Sequence, residues 1–507
     1  MKLRPPWNWR KTWKTSKTWK PAARKTALAG LVPAVTAAGL ALALAAFVGS
    51  PAPSPSRPAG APAVAPAQAM VHVPPPVRAA LETLVEIGFE RATGFFGDTF
   101  WRNAVAMSAM EAYRQTTGDR TYDYTFNNYY LHAAPRFFED NLDDDTGWWG
   151  LAFLQDYSIT HVLSYLQKAE ALADYIHQDW NANPRLCGGG GVPEHRSPED
   201  GLAGAINNEL FFELTAWLHS TLVKIKPGSD SGKNSYLAWA MQEWSYLQKV
   251  QLFHSAPLTV GSGNGQTTIP AYLVTNASPS PSIPANTICG TKSIRYDLFT
   301  YNQGVILDGL GYLYKDTGDA TYLLDAEHIA NAVLKPPTPV QDVVALIAGQ
   351  GLAPGPSNIF TYFGVLNDPT SPLMAPASGL GDGAAFKGIF VRDLRTLDDI
   401  IASTPQYNSG PACTATYQNR SYDQCTTMYD DFFTTQVCSI EHVDTFNVDE
   451  KFNSPDGWGV QPFRLLGYHW TGPDTPYDMT TQVSAVEALV AALDLPAHGP
   501  PFPDCRQ

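Results

Sequence analysis

A repeated turn constrains this chain more than any other feature. Tyr113-Arg-Gln-Thr-Thr-Gly-Asp-Arg-Thr-Tyr122 recurs as Tyr314-Lys-Asp-Thr-Gly-Asp-Ala-Thr-Tyr322, in register on Thr-Gly-Asp-x-Thr-Tyr. Glycine ends a helix by adopting the left-handed conformation, and a following Asp helps to start the next one. Tyr157-Ser-Ile-Thr160 to Tyr165 reads as a degenerate third copy. Around these turns, apolar residues fall at three- and four-residue spacing over 78–94, 101–117, 148–157, 161–179, 203–224, 235–253, 303–316, 321–334, 384–404 and 480–493, while strand-like alternation is scarce. Helix, tight turn, helix, repeated with irregular spacing, is the pattern of a closed α/α toroid; an open α-solenoid is the alternative. Two stretches interrupt it, 254–296 and 335–380, both rich in Gly, Pro, Ser, Thr and Asn. Long insertions of this kind usually form lids or rims, and both are expected to shape a cleft.

The N-terminal residues read differently. Residues 1–25 hold nine Lys/Arg and no acid, 26–49 are almost wholly apolar, and Ser50 to Pro76 is rich in Pro and Ala. A basic head, an apolar run and small residues make a signal peptide, so export with cleavage is expected. The apolar run is long enough for the rival reading, an uncleaved anchor on the outer face of the cytoplasmic membrane. The expected organisation is therefore a leader over 1–49, a linker over 50–76 and one folded domain over 77–507. Ten of the chain's 34 Lys/Arg and none of its 48 Asp/Glu fall in residues 1–69, which leaves the remainder with 24 basic residues and a net charge near −24. Such a surface repels phosphate backbones and anionic lipid, which argues against nucleic acid as a partner, whereas a neutral polysaccharide meets no such barrier. Membrane contact is expected only through an uncleaved leader, and the protein is expected to be a monomer. Six cysteines (Cys187, Cys289, Cys413, Cys425, Cys438 and Cys505) suit disulfides in an oxidising compartment, with fifteen possible connectivities.

No cofactor or metal is called for. Gly228-Ser-Asp-Ser-Gly232-Lys233 is one residue short of a phosphate loop and is followed by Asn234. Asn141 to Gly147 suggests a calcium loop, but its glycine comes one place late and Ala152 stands where the bidentate Glu belongs.

The most unusual run is Asn141-Leu-Asp143-Asp144-Asp145-Thr146-Gly147-Trp148-Trp149-Gly150. Three consecutive carboxylates could simply complement the dipole of a helix N-terminus, with the tryptophans filling the core. They could equally supply glycosidic cleavage, whose retaining route needs two carboxyl groups about 5–5.5 Å apart, one attacking and one donating a proton. Tryptophan faces would suit the apolar faces of sugar rings.

Asp144-Asp145-x-Gly-Trp-Trp resembles a motif of the glycoside hydrolase family 76 endo-α-1,6-mannanases. Further segments similar to that family follow in the same order: Leu186-Cys187-Gly-Gly-Gly-Gly-Val192, Ala205-Ile206-Asn207-Asn208-Glu209-Leu210-Phe211, Thr300-Tyr301-Asn302-Gln303-Gly304-Val305, Gly381-Asp382 to Phe386-Lys387-Gly388-Ile389-Phe390-Val391-Arg392, and Gln482-Val483-Ser484-Ala485. The resemblance runs from about Trp101 to Leu493. It implies an all-α (α/α)6 barrel and a retaining mechanism with Asp144 as nucleophile and Asp145 as general acid/base. Asp143 opens a second possible frame, which the spacing to Gly147-Trp148-Trp149 decides in favour of Asp144/Asp145. The resemblance also makes Trp148, Trp149, Asn208, Glu209, Tyr301, Asn302, Gln303, Asp382, Lys387 and Arg392 candidate substrate-binding residues. For Glu209 and Gln303 the alternative is bracing of helices, and for Lys387 and Arg392 structural pairing with acids. The chain departs from the pattern at Phe299, where Trp is common, and at Val274-Thr275-Asn276-Ala277, where many members carry Asp-Gly. A substrate-contacting carboxylate is therefore missing or moved into the 254–296 insertion, Asp297 being the candidate. The expected activity is hydrolysis of α-1,6-linked mannan. A mannan or cell-wall transglycosidase and a non-catalytic glycan-binding protein on the same fold are the alternatives.

Overall fold

Six helices that bury most of their residues are the foundation of the computed structural model, because a helix buried on most sides must be enclosed by others. The structure describes residues 73–493 except 97–99, 134–141, 181–189, 194–195, 197–203, 233, 250–251, 256–257, 261–266, 270–271, 280–293, 335–359, 363–364, 367–381, 404–428, 444, 449–462, 467–469 and 471–478. The chain divides into two units, Met1–Pro66 and Ala67–Gln507, and every described residue lies in the second.

Twelve α-helices occur among the described residues: α1 Pro75–Thr83, α2 Phe100–Thr117, α3 Asp123–Ala133, α4 Asp143–Thr160, α5 Leu163–Trp180, α6 Ala205–Ile225, α7 Tyr236–Lys249, α8 Thr300–Thr317, α9 Ala320–Leu334, α10 Gly383–Ser403, α11 Asp430–Val443 and α12 Met479–Ala491. The even-numbered helices form the inner ring. Each packs against the next, and α12 packs back on α2, which closes the circle. The odd-numbered helices lie outside. α5 shows why: it buries Tyr165, Leu166, Ala169, Leu172, Ala173, Ile176 and Trp180, a stripe at three- and four-residue spacing, and leaves its other face polar. The chain is an (α/α)6 toroid, and the last outer position beside α12 is taken by α1 from the start of the domain.

Inner backbones approach closely where glycine removes the side chain. A Cβ on Gly304 of α8 would lie 2.7 Å from Phe390 Cα of α10, and one on Gly388 of α10 would lie 2.5 Å from Ser484 Cα of α12.

The repeated turns join inner to outer helices. Gly118 and Gly318 both sit at φ +72°. Asp119 Oδ1 accepts from Thr121 N at 2.9 Å and Thr121 Oγ1 at 2.6 Å; Asp319 Oδ1 accepts from Thr321 N at 3.0 Å and Thr321 Oγ1 at 2.8 Å. The third copy lies between α4 and α5, where His161 takes the glycine's left-handed place at φ 57°.

All ten segments read as helical contain helix. The first was read too long: α1 gives way to a π turn over Leu84–Gly88, followed by a tight turn bridged between Glu90 and Phe95. Two helices escaped periodicity, α3 and α11. Their aromatic, Asn, Asp, Thr and β-branched residues are indifferent helix formers, so packing against the ring decides their state. The 254–296 insertion is not merely loop. Strands β1 Phe253–Ser255, β2 Leu258–Val260, β3 Thr267–Ile269, β4 Tyr272–Val274, β5 Asn276–Pro279 and β6 Ile294–Asp297 form antiparallel pairs β1–β4, β2–β3 and β5–β6. Further pairs are β7 Thr361–Tyr362 with β8 Val365–Leu366, and β9 Thr445–Val448 with β10 Phe463–Leu466. Runs of two to four residues are too short to reveal alternation. Most of 335–380 lies outside the described residues.

Candidate active site

Inner helices run parallel to one another, so their six N-termini meet at one end of the ring, opposite the repeated turns. The described strands β1–β8 lie on outer-to-inner connections and therefore enter at this end. Side-chain contacts tie the starts together. Arg102 of α2 donates to Asp382, just before α10, from Nε at 3.1 Å and Nη2 at 2.6 Å, and to Thr480 Oγ1 of α12 at 3.1 Å. Trp101 of α2 stacks on Trp148 of α4 with centroids 5.7 Å apart, and Tyr301 of α8 stacks on Phe386 of α10 at 3.8 Å. Asn302 Nδ2 of α8 donates to Glu209 Oε2 of α6 at 3.0 Å.

The three aspartates occupy the first turn of α4, where no side chain caps the helix and the dipole favours negative charge. They diverge in environment. Asp143 is sealed, 1% exposed, and belongs to a group with Asp179 and Arg196. Asp144 is half-buried and accepts from Asp145 N at 2.8 Å; Asp145 is 7% exposed. Asp144 thus has the greatest access to solvent among the three, and Asp143 has essentially none.

The other expected site residues divide by environment. Trp149 is fully buried among Phe95, Phe100 and Phe153 and fills the core, whereas Trp148 backs the partly exposed Trp101. Asn208 is buried and pins the glycine-rich segment: its Oδ1 accepts from Val192 N at 2.7 Å and its Nδ2 donates to Val192 O and Gly204 O. Gln303 does the same for β4, accepting from Val274 N at 2.9 Å and donating to Val274 O. Glu209 and Asn302 are wholly enclosed, and burial raises the Glu209 carboxyl well above its usual range against the opposing hydrogen bond from Asn302. Lys387, 1% exposed, holds its Nζ 5.0 Å from the Trp470 ring centre. Asp297, the candidate for the displaced carboxylate, stands directly opposite Asn276 in the β5–β6 register.

Arg392 lies deeper, in the third turn of α10, where it pairs with Asp393 at 2.9 Å and Glu487 at 2.7 Å. Every inner helix contributes a buried carboxyl to this interior: Glu111, Asp156, Glu213, Asp308, Asp393 and Glu487. Burial raises Glu111, Glu213 and Asp308 far above the carboxylate range, with neighbouring acids adding to the effect and Arg392 opposing it. Burial likewise lifts Asp393 to about 6 and Glu487 to about 8, again against Arg392. The ring therefore encloses six buried acids around the Arg392 guanidinium.

Sequence reasoning missed Trp101, Arg102, Thr480 and the pairing of Asp143 with Arg196. It also missed that Asn103, Asn208, Gln303 and Gln482 all stand fourth in their inner helices and accept from a backbone N–H of the preceding connection. An amide three residues after each helix start was a visible signal. Arg102 and Arg196 carried none, since their partners are remote in sequence.

The sequence profile of Glycosyl hydrolase family 76 matches residues 88–493. Comparison with curated proteins gave no match. Among solved structures, the GH76A α-1,6-mannanase from Salegentibacter sp. HEL1_6 is similar, with a TM-score of 0.54 at 20% identity, covering 82% of this chain and 97% of that one. An inactive variant of that mannanase, with two aspartates replaced by alanine and α-1,6-mannotetrose bound, gives 0.54 at 19% identity over the same shares. A Listeria innocua protein gives 0.53 at 20% identity, covering 82% of this chain and 95% of its own. At these identities the likeness speaks for the shared toroid.

Proposed function

The chain belongs to glycosyl hydrolase family 76 and is a glycosidase, and on that premise we propose that it cleaves α-1,6-mannosidic linkages within mannan, with retention of anomeric configuration, through Asp144 and Asp145. The observation that carries this reading is the fate of the three aspartates: one is locked away in a buried pair, and the next two remain at the ring end where all inner helices begin. The bound mannotetrose and the paired aspartate replacements in the Salegentibacter enzyme support the same substrate class and the same kind of acid pair.

In the proposed reaction the Asp144 carboxylate attacks the anomeric carbon while Asp145 gives its proton to the departing glycosidic oxygen. The C–O bond breaks, a glycosyl ester forms on Asp144, and the shortened mannan leaves with the proton. Asp145, now a carboxylate, then takes a proton from water, whose oxygen attacks the same carbon and releases Asp144. The helix dipole favours the charged state of the nucleophile. Trp101, backed by Trp148, and the Arg102–Asp382 pair are positioned to meet the sugar rings or hydroxyl groups on either side, and no metal or cofactor is required by these steps.

Export through the 1–49 leader accompanies this reading, since mannan is an extracellular polymer and the six cysteines suit an oxidising compartment. The leader lies outside the described residues; within them, no helix is long and apolar enough to cross a membrane. Incubating the protein with linear α-1,6-mannan and following product sizes and anomeric signals by NMR tests the proposal. Wild type should release α-configured oligosaccharides first, and Asp144→Asn or Asp145→Asn should lose at least 100-fold in kcat while melting as wild type does. Full activity in both variants, or an initial β-product, would overturn the assignment. Adding an acceptor sugar in the same assay separates hydrolysis from transfer.

A further inference from the structure

Asp143 stands one residue before the proposed nucleophile, yet its side chain is fully enclosed. What encloses it is a charge arrangement spanning three segments. Arg196, on the connection from α5 to α6, places Nε 3.9 Å from Asp143 Oδ1 and 2.5 Å from Asp179 Oδ2, in the last turn of α5. Its Nη2 donates to Tyr175 O at 2.7 Å, and its guanidinium lies on the Tyr175 ring, 3.2 Å from the centroid. One guanidinium thus binds the start of α4, the end of its outer partner and the connection that follows.

Two carboxyl groups against one guanidinium, largely out of contact with water, leave a charge uncompensated unless a proton is retained. The Asp143 side chain is 0% exposed against 18% for Asp179, so Asp143 is the one that retains it. Burial, and next the neighbouring Asp179, lift Asp143 to about 8 against the pull of Arg196. Among the described residues, the groups that act on Asp143 are Asp179 of α5, Arg196 of the connection and Asp144 of its own helix, with Tyr175 packed against Arg196. A charge on Asp143 would therefore be felt directly at Asp144.

We propose that Asp143, Asp179 and Arg196 form a positioning triad that keeps Asp143 uncharged, and so sets the pH range over which Asp144 and Asp145 work. The triad touches no substrate. It anchors the first turn of α4 and removes a third negative charge from beside the acid pair. This rests on the reading of Asp144 and Asp145 as that pair.

Three variants test it, with kcat/KM on linear α-1,6-mannan measured from pH 4 to 7, below the range near 8 in which Asp143 itself ionises. Asp143→Asn imitates the neutral acid and should keep the wild-type profile. Asp179→Asn leaves Asp143 alone with Arg196, so Asp143 ionises and both limbs of the profile should move up by roughly one to two pH units, the scale of a charge about 7–12 Å away at an effective dielectric constant near 20. The double variant, having no charge left at 143, should return to the wild-type limbs, which loss of a purely structural contact would not do. If Asp179→Asn melts too early to assay, Asp179→Ser carries the same expectation. An unshifted profile in the Asp179 variants overturns the proposal, as does a shift in Asp143→Asn alone. A folded but inactive Asp143→Asn overturns it too; if Asp144→Asn were then active, the acid-pair reading itself would fail.

Discussion

Replacing Arg392 with methionine should destabilise the protein strongly, and by an amount that depends on pH. Methionine keeps much of the side chain's length and apolar contact, so the change removes mainly the guanidinium. That group lies 2.9 Å from Asp393 and 2.7 Å from Glu487, with the Arg392 side chain 12% exposed and both acids at 0%. Removing one partner from a buried ion pair typically costs about 3–5 kcal/mol, because the other charge is left uncompensated. The acids can escape part of that cost by taking up protons. The folded-state values of Asp393 and Glu487 stand above their unfolded ones, at about 6 and about 8, so folding favours their protonated forms. Their contribution is fully present below the unfolded carboxylate range near pH 4 and is lost as pH rises through 6 and then 8. Without Arg392 both values climb further and the loss steepens. Urea denaturation followed by tryptophan fluorescence at pH 5 and pH 8 should show Arg392→Met losing about 3–5 kcal/mol at the higher pH and distinctly less at the lower. A variant as stable as wild type at pH 8, or one equally weakened at both, would refute the view of Arg392 as the interior counterion.

Gly388→Ala should cost about 1–3 kcal/mol, because the added methyl meets Ser484 Cα and O at 2.5 Å across the α10–α12 contact, and overpacked cores lose that much. A thermal melt checks it; an unchanged Tm would mean that the inner helices have room to part. His161→Gly should stabilise by up to about 1 kcal/mol, since a left-handed residue with a Cβ carries strain that glycine lacks, partly offset by glycine's unfolded-state entropy. Urea midpoints are the measure, and a clear loss of stability would show that the imidazole makes up for its backbone position.

The aspartate run stood out in the sequence because its signal is local. Three aspartates before two tryptophans need no partner from elsewhere to be noticed, and the proposed frame Asp144/Asp145 comes from the resemblance to the family motif ending in Gly147-Trp148-Trp149. What each acid does could not be read in that way. Asp143 differs from Asp144 only through Asp179 and Arg196, which reach it from other segments. The expected cleft residues show the same limit. Asn208 and Gln303 look like ligands for a hydroxyl-rich substrate, yet their amides close on Val192 and Val274. An amide satisfies a sugar and a peptide group equally well, so only the neighbour decides.

Sequence by itself determined the helix–turn–helix repeat: the apolar period, the two Thr-Gly-Asp-x-Thr-Tyr turns and their degenerate third copy are properties of residues a few positions apart. Only the tertiary structure decided that the ring closes through α12 on α2 with α1 as its last outer helix, and that Arg392 faces Glu487 in the interior. Those outcomes depend on pairing between distant segments, where burial and charge compensation choose the partner and helical spacing carries no trace of the choice.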